Sequence, residues 1–232
     1  MTGSPELADQ RGKLSSSVLA ATVAVAGLCY SSWVLQFVLK IDLDPVDSFL
    51  SELDAEDKPY RQVFATADII TGISLISAAT VSLLLFPRRR LTTTGWVALC
   101  CFGAATIADV LLPLRDCAPG ANRCGEAGGL FPQLHQPHAL TSTLAITAIA
   151  TAAFAFSLAA FRYRHWRVLR GFGLVALIAG STATVWLLVA DNLPGDYALG
   201  IAQRIQVGAI SLWLLALAAS VHRERHEWAE PN

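Results

Sequence analysis

Charged side chains are scarce in this chain. Asp, Glu, Lys and Arg make up 15% of its 232 residues, against roughly 25% in an average soluble domain, and 54% of the residues are hydrophobic. That scarcity excludes a water-soluble globule of ordinary make-up. A net charge of −1 provides no global attraction for nucleic acid. Histidine is also sparse. Only His135 and His138 fall near the interior of an apolar stretch, on one helix and at the same edge, so no two imidazoles face each other as a clamped haem requires. A phosphate-cradling nucleotide loop is missing as well. Gly171-Phe-Gly173 has no strand before it and reads as a helix start between basic and apolar segments. There is no internal repeat at 20–50 residue spacing and no low-complexity tract.

What is present is a series of six long apolar stretches: 17–39, 61–86, 94–114, 137–161, 171–190 and 199–221. Each is about long enough to cross the ~30 Å hydrocarbon core as a helix, which takes roughly 20 residues at ~1.5 Å each. Pro87 with Arg88–Arg90, Pro113 with Arg115, and Pro194-Gly195 separate them. The expected fold is all-α, a polytopic six-helix transmembrane bundle. Its domains are an N-terminal segment 1–16, a membrane domain 17–221 and a tail 222–232. The first stretch is longer than the h-region of a signal peptide, and no polar mature segment follows the small residues Ala24-Val25-Ala26-Gly27 inside it, so it reads as a retained helix.

The loop charges sort by sign. Arg11, Lys13, Arg88, Arg89, Arg90, Arg162, Arg164, Arg167, Arg170, Arg223 and Arg225 fall on one side; Lys40, Lys58, Arg61, Arg115 and Arg123 fall on the other. The positive-inside rule then places both termini in the cytoplasm. On the opposite side, Cys117 and Cys124 share a short connection in a disulfide-permissive compartment, and a Cys117–Cys124 bond is expected. Cys29, Cys100 and Cys101 lie in apolar helices and read as small hydrophobes.

Ionisable residues within spans are rare because each costs ~2.5–3.5 kcal/mol at mid-membrane on insertion scales. Here their depths coincide. Asp68 lies ~10 Å inward from the outer start of the second span, and Asp109 lies ~8 Å from the outer end of the third. His138 opens the fourth with His135 just before it, and Arg204, beside Gln203, enters the sixth. A shared polar pocket in the outer leaflet is the expectation, and three uses are open. In a structural network, Arg204 pairs with Asp68 or Asp109 and fixes helix register. In a metal site, the His135-x-x-His138 spacing and Asp109 or Asp68 hold a zinc ion whose bound water becomes a nucleophile. In a ligand pocket, Arg204 holds a lipid headgroup or small anion, with hydroxyls from Thr66, Thr71, Ser74, Thr141 and Ser142. For those hydroxyls the alternative is a bond to their own helix backbone.

Ser51-Glu52-Leu53 after an acidic loop, Pro59, Asp68 with Gly72, Asp109 with Pro113, His138, and Gly200-x-x-Gln203-Arg204 occur in this order. The pattern resembles a bacterial and archaeal family of six-helix integral membrane proteins known only as a domain of unknown function. The resemblance runs from about Cys29 to His222. It implies a multi-pass protein of the bacterial plasma membrane and marks Ser51, Glu52, Asp68, Asp109, His138, Gln203 and Arg204 as the pattern positions, without supplying a reaction. More remotely, Ser, Asp and His on neighbouring helices are similar to the alkaline ceramidase and adiponectin-receptor superfamily. The chain departs from that pattern in having six helices and in carrying Gln203 and Arg204 where paired histidines would stand. A hydrolase would use Asp68, Asp109 and His138. The partners expected are membrane lipids, with a second copy or a protein partner permitted by the Ala- and Gly-rich helices.

Overall fold

The computed structural model describes residues 5–56, 58–114, 137–190, 193 and 197–223. Among them six helices are long and apolar enough to cross a membrane, as the sequence predicts. They are α1 (Pro5–Cys29), α2 (Arg61–Leu85), α3 (Arg90–Leu111), α4 (Pro137–Arg162), α5 (Leu174–Ala190) and α6 (Leu199–Arg223). Large apolar side chains such as Leu84, Val175, Leu188 and Ile205 face outwards, as they do where the surroundings are lipid. The C-terminal ends of α1, α3 and α5 and the N-terminal ends of α2, α4 and α6 lie at one end of the bundle, which we call the acidic end after the Asp- and Glu-rich first connection. The start of α1, the end of α6 and the arginine-rich α2–α3 and α4–α5 turns lie at the opposite, basic end.

Proline sets several boundaries. Phe86, which precedes Pro87, is held extended at φ −110° and ψ 155° and ends α2. Pro137 occupies the first turn of α4, where a missing N–H costs nothing. Other boundaries differ from the expected ones. In the first span the α-helix stops at Cys29 and a 3₁₀ turn, Ser32–Phe37, completes the crossing. At that junction the Ser31 hydroxyl donates to Gly27 O at 2.9 Å and satisfies one orphan carbonyl. α3 starts at Arg90 rather than at 94, because long guanidinium side chains extend from a first helical turn back toward water. A π turn, Leu169–Gly173, leads into α5.

The helices pack as an incomplete ring. α1 to α4 follow one another, α6 packs on α1, and α5 packs on α6, while α4 and α5 scarcely touch. α2 and α3 approach most closely at two glycines. A Cβ on Gly72 would lie 2.6 Å from Gly103 O, and one on Gly103 would lie 2.6 Å from Gly72 O, so only hydrogen fits at either position. Toward the basic end, Phe156 of α4 gathers Trp96 (centroids 5.0 Å, edge-on), Trp166 (5.7 Å) and Trp213 (6.1 Å). This aromatic knot joins α3, α4, the α4–α5 turn and α6.

Candidate functional site

At the acidic end the first connection folds back over the bundle. A second 3₁₀ turn, Leu50–Asp54, carries the Ser51-Glu52-Leu53 motif. Leu50 and Leu53 pack with Phe64 of α2, supported by Trp33, Leu39, Ile41, Leu43 and Val207, and so hold the turn against the helices. Glu52 is 2% exposed, and its carboxylate accepts the Phe49 N–H at 2.9 Å. Burial pushes the Glu52 carboxyl above the usual carboxylate range, while the Phe49 N–H and the charges of Lys58 and Arg204 pull it back.

Arg204, one turn into α6, is 7% exposed. Its Nη1 donates to Ser48 O at 2.8 Å and to Gly200 O at 2.9 Å, and its Nη2 donates to Gln36 Oε1 at 2.6 Å. Its charged neighbours are Glu52 and Asp44. One residue earlier, Gln203 Oε1 accepts the Leu50 N–H at 2.5 Å. The Ile201 N–H, an orphan donor of the first helical turn, reaches Val46 O at 3.2 Å. Gly200 is glycine because the loop lies directly on it: a Cβ there would sit 2.5 Å from Ser48 O and 2.8 Å from Val46 O. Gly200-x-x-Gln203-Arg204 and Ser51-Glu52-Leu53 are therefore two halves of one latch between the first connection and α6. Ser51 itself is half-buried in the turn.

A second cluster lies across α1, α2, α3 and α4. Asp109 receives the Ser142 hydroxyl at 2.9 and 3.0 Å, the Thr141 hydroxyl, and His138 Nδ1 at 3.2 Å. His138 Nδ1 also lies 3.1 Å from Leu112 O, and its Nε2 lies 3.5 Å from Ser142 Oγ. One carboxylate thus ties the opening turns of α4 to the end of α3. Asp68 is different. Its electrostatic neighbours are two more carboxylates, Asp54 and Asp109, and among the described residues it has neither a hydrogen bond nor an ion pair. Tyr30, at the end of α1, has Asp68 and Asp109 as electrostatic neighbours, with its ring edge-on to Phe102 at 5.4 Å. Asp54 stands 3.6 Å from Arg61 Nε, but its buried Oδ1 accepts no hydrogen bond; Arg61 donates instead to Asp54 O and Val110 O. Burial raises the Asp54 carboxyl to about 6; Arg61 opposes the rise and Asp109 adds to it.

The single slab expected from the sequence is therefore two clusters. Arg204 pairs with Gln36, the loop carbonyl of Ser48 and Gly200 O of its own helix rather than with Asp68 or Asp109. Thr71 bonds the backbone, at Ala67 O and Ala26 O. His135, Cys117 and Cys124 lie outside the described residues, and with them one of the two expected histidine metal ligands and the expected disulfide. Among the described residues no three His, Cys, Asp or Glu side chains are grouped to hold a metal ion. Sequence reasoning missed Tyr30, Gln36, Ser48, Asp54 and Arg61 as cluster members. Gln36 had a signal, being a lone amide in an apolar run; Asp54 is indistinguishable by composition from its acidic loop neighbours.

No curated protein and no solved structure matches the chain, so the likeness to the alkaline ceramidases receives no support from them. A family model described as "Protein of unknown function (DUF998)" matches residues 23–220, and the chain belongs to that family.

Proposed function

We propose that this multi-pass protein resides in a bacterial plasma membrane with both termini in the cytoplasm, and that the cluster around Asp68 binds the positively charged part of a lipid headgroup or of a small amine. The observation that carries the reading is Asp68 itself. It is a carboxylate within a membrane span that has no partner among the described residues and faces two more carboxylates. Like charges so placed repel and desolvate poorly, and a cation entering between them relieves both penalties. Asp54, Asp68 and Asp109 bring three carboxyl groups together with one fixed positive charge, at Arg61, beside Asp54. Tyr30 adds an aromatic ring suited to an ammonium group.

This reading reverses the charge expected of the ligand. The anion expected at Arg204 would meet a guanidinium whose Nη1 and Nη2 are already engaged and which has Glu52 and Asp44 beside it. A lipid remains a fitting ligand when its head carries an amine, with Arg61 at the rim to meet the phosphate. A metal-dependent hydrolase is less favoured, because Asp109, its expected ligand, is already bonded by Thr141, Ser142 and His138.

The test compares phosphatidylethanolamine with its N-acetylated, amine-blocked analogue on the purified full chain, read by lipid retention in native mass spectrometry. Wild type should prefer the free amine, and Asp68→Asn should lose that preference. Equal retention of both lipids by the wild type would overturn the proposal.

A further inference from the structure

We propose that the basic end carries an anionic phospholipid site, in which Arg88, Arg90, Arg162 and Arg164 bind the headgroup phosphate between the α2–α3 and α4–α5 turns. The two turns are neighbours because α3 and α4 pack antiparallel along their length, and the Arg89 guanidinium stacks over the Tyr163 ring at 4.9 Å. Neither 87–94 nor 161–173 contains an Asp or Glu. All four arginines are exposed. Arg88 reaches only its own helix end, at Leu83 O, and Arg90, Arg162 and Arg164 have no hydrogen bond or ion pair among the described residues. Four like charges on two neighbouring turns that contain no carboxylate repel one another. A phosphate, which guanidinium groups grip bidentately, removes that cost.

The site is also held in shape. Arg164 and Trp166 both adopt φ 60°, a left-handed backbone that is unfavourable for a side-chain-bearing residue. The turn keeps it because the Trp166 ring is buried against Phe156, and the Leu169 N–H is fixed by the Ser220 hydroxyl at 3.2 Å. The arginines therefore extend from an anchored turn, and less ordering entropy is lost on binding. Leu84, Leu85, Phe161 and Phe172 are exposed in the helical turns next to them and offer an apolar wall for acyl chains. Charge above and apolar surface below fit a membrane lipid rather than a free anion.

Native mass spectrometry of the full chain in uncharged detergent, titrated with cardiolipin, phosphatidylcholine and inorganic phosphate, tests this. Cardiolipin should be held at least tenfold more tightly than phosphatidylcholine, and inorganic phosphate should not displace it. Arg90→Gln with Arg164→Gln should weaken cardiolipin about tenfold, since each guanidinium near an anionic headgroup contributes a several-fold factor. Where that double variant is unstable, Arg88→Gln alone should give a several-fold loss. Lys40→Gln, at the acidic end, should change nothing. Equal binding of the two lipids, unchanged cardiolipin binding in the arginine variants, an equal loss in Lys40→Gln, or displacement by millimolar phosphate would each overturn the proposal.

Discussion

Two polar clusters share the acidic end and come within two residues of each other along the chain, at Glu52 and Asp54, yet they are built on opposite principles. Around Arg204 most polar groups have a partner: two carbonyls, one amide, and two N–H groups of the loop captured by Gln203 and Glu52, while the buried Arg204 Nε has none among the described residues. Around Asp68 three carboxylates gather, one with no partner among the described residues and one with a buried, unbonded oxygen. A satisfied network fixes structure, because each member lost leaves others unpaired. An unsatisfied one is a standing demand for a proton or a ligand. The comparison teaches that polarity at membrane depth is by itself no functional signal; the functional signal is an incomplete set of partners.

The comparison can be broken at several points. Arg204→Met should cost most, about 3–5 kcal/mol, because it strands Gln36, Ser48 O and Glu52 in a buried site. Denaturant unfolding of the detergent-solubilised protein measures this, and wild-type stability would remove the latch from the account. Gly200→Ala should cost about 1–3 kcal/mol by forcing the loop off α6, read as earlier proteolysis of the first connection together with a lower melting temperature.

The pH response sharpens the contrast next. Asp54 has a folded-state pKa of about 6, above its unfolded value near 3.9, so the folded state holds the proton more tightly. The resulting stabilisation is fully present below pH about 4 and is lost as pH rises to about 6. Glu52, also raised, acts in the same direction. Melting temperature measured from pH 4 to 7 should fall through this window in the wild type and fall less in Asp54→Asn; parallel curves would count against a buried Asp54. The smallest effect belongs to Asp68→Asn, which should leave stability within about 1 kcal/mol of wild type or raise it slightly, since it removes a repelling charge and breaks no bond among the described residues. A large loss there would mean that Asp68 is a structural partner after all.

The six spans were legible in the sequence because length and hydropathy alone decide them, and the Ser51-Glu52-Leu53 and Gly200-x-x-Gln203-Arg204 motifs were legible as important. Their mutual contact was not, because Arg204 and Ser48 stand more than 150 residues apart in sequence, and depth along a helix says nothing about the direction a side chain faces round it. Depth placed Arg204 and Asp68 in one slab; helix rotation put the first against the loop over α6 and the second among α1, α2 and α3. The 3₁₀ ending of the first span was equally hidden, since an apolar run reads the same whether it winds by three or by 3.6 residues per turn.

The incomplete ring has a consequence for how the molecule is made. Apart from α1 against α6, the extensive helix contacts join sequence neighbours, so α1 to α4 and the α5–α6 hairpin can each assemble as they emerge. The first connection must wait for the last helix, because its Val46 and Ser48 carbonyls find their donors only when Ile201 and Arg204 have been synthesised. Closure of the latch thus reports that translation has reached the end of the bundle, and a chain truncated before α6 would carry an unfastened segment that quality-control proteases could recognise.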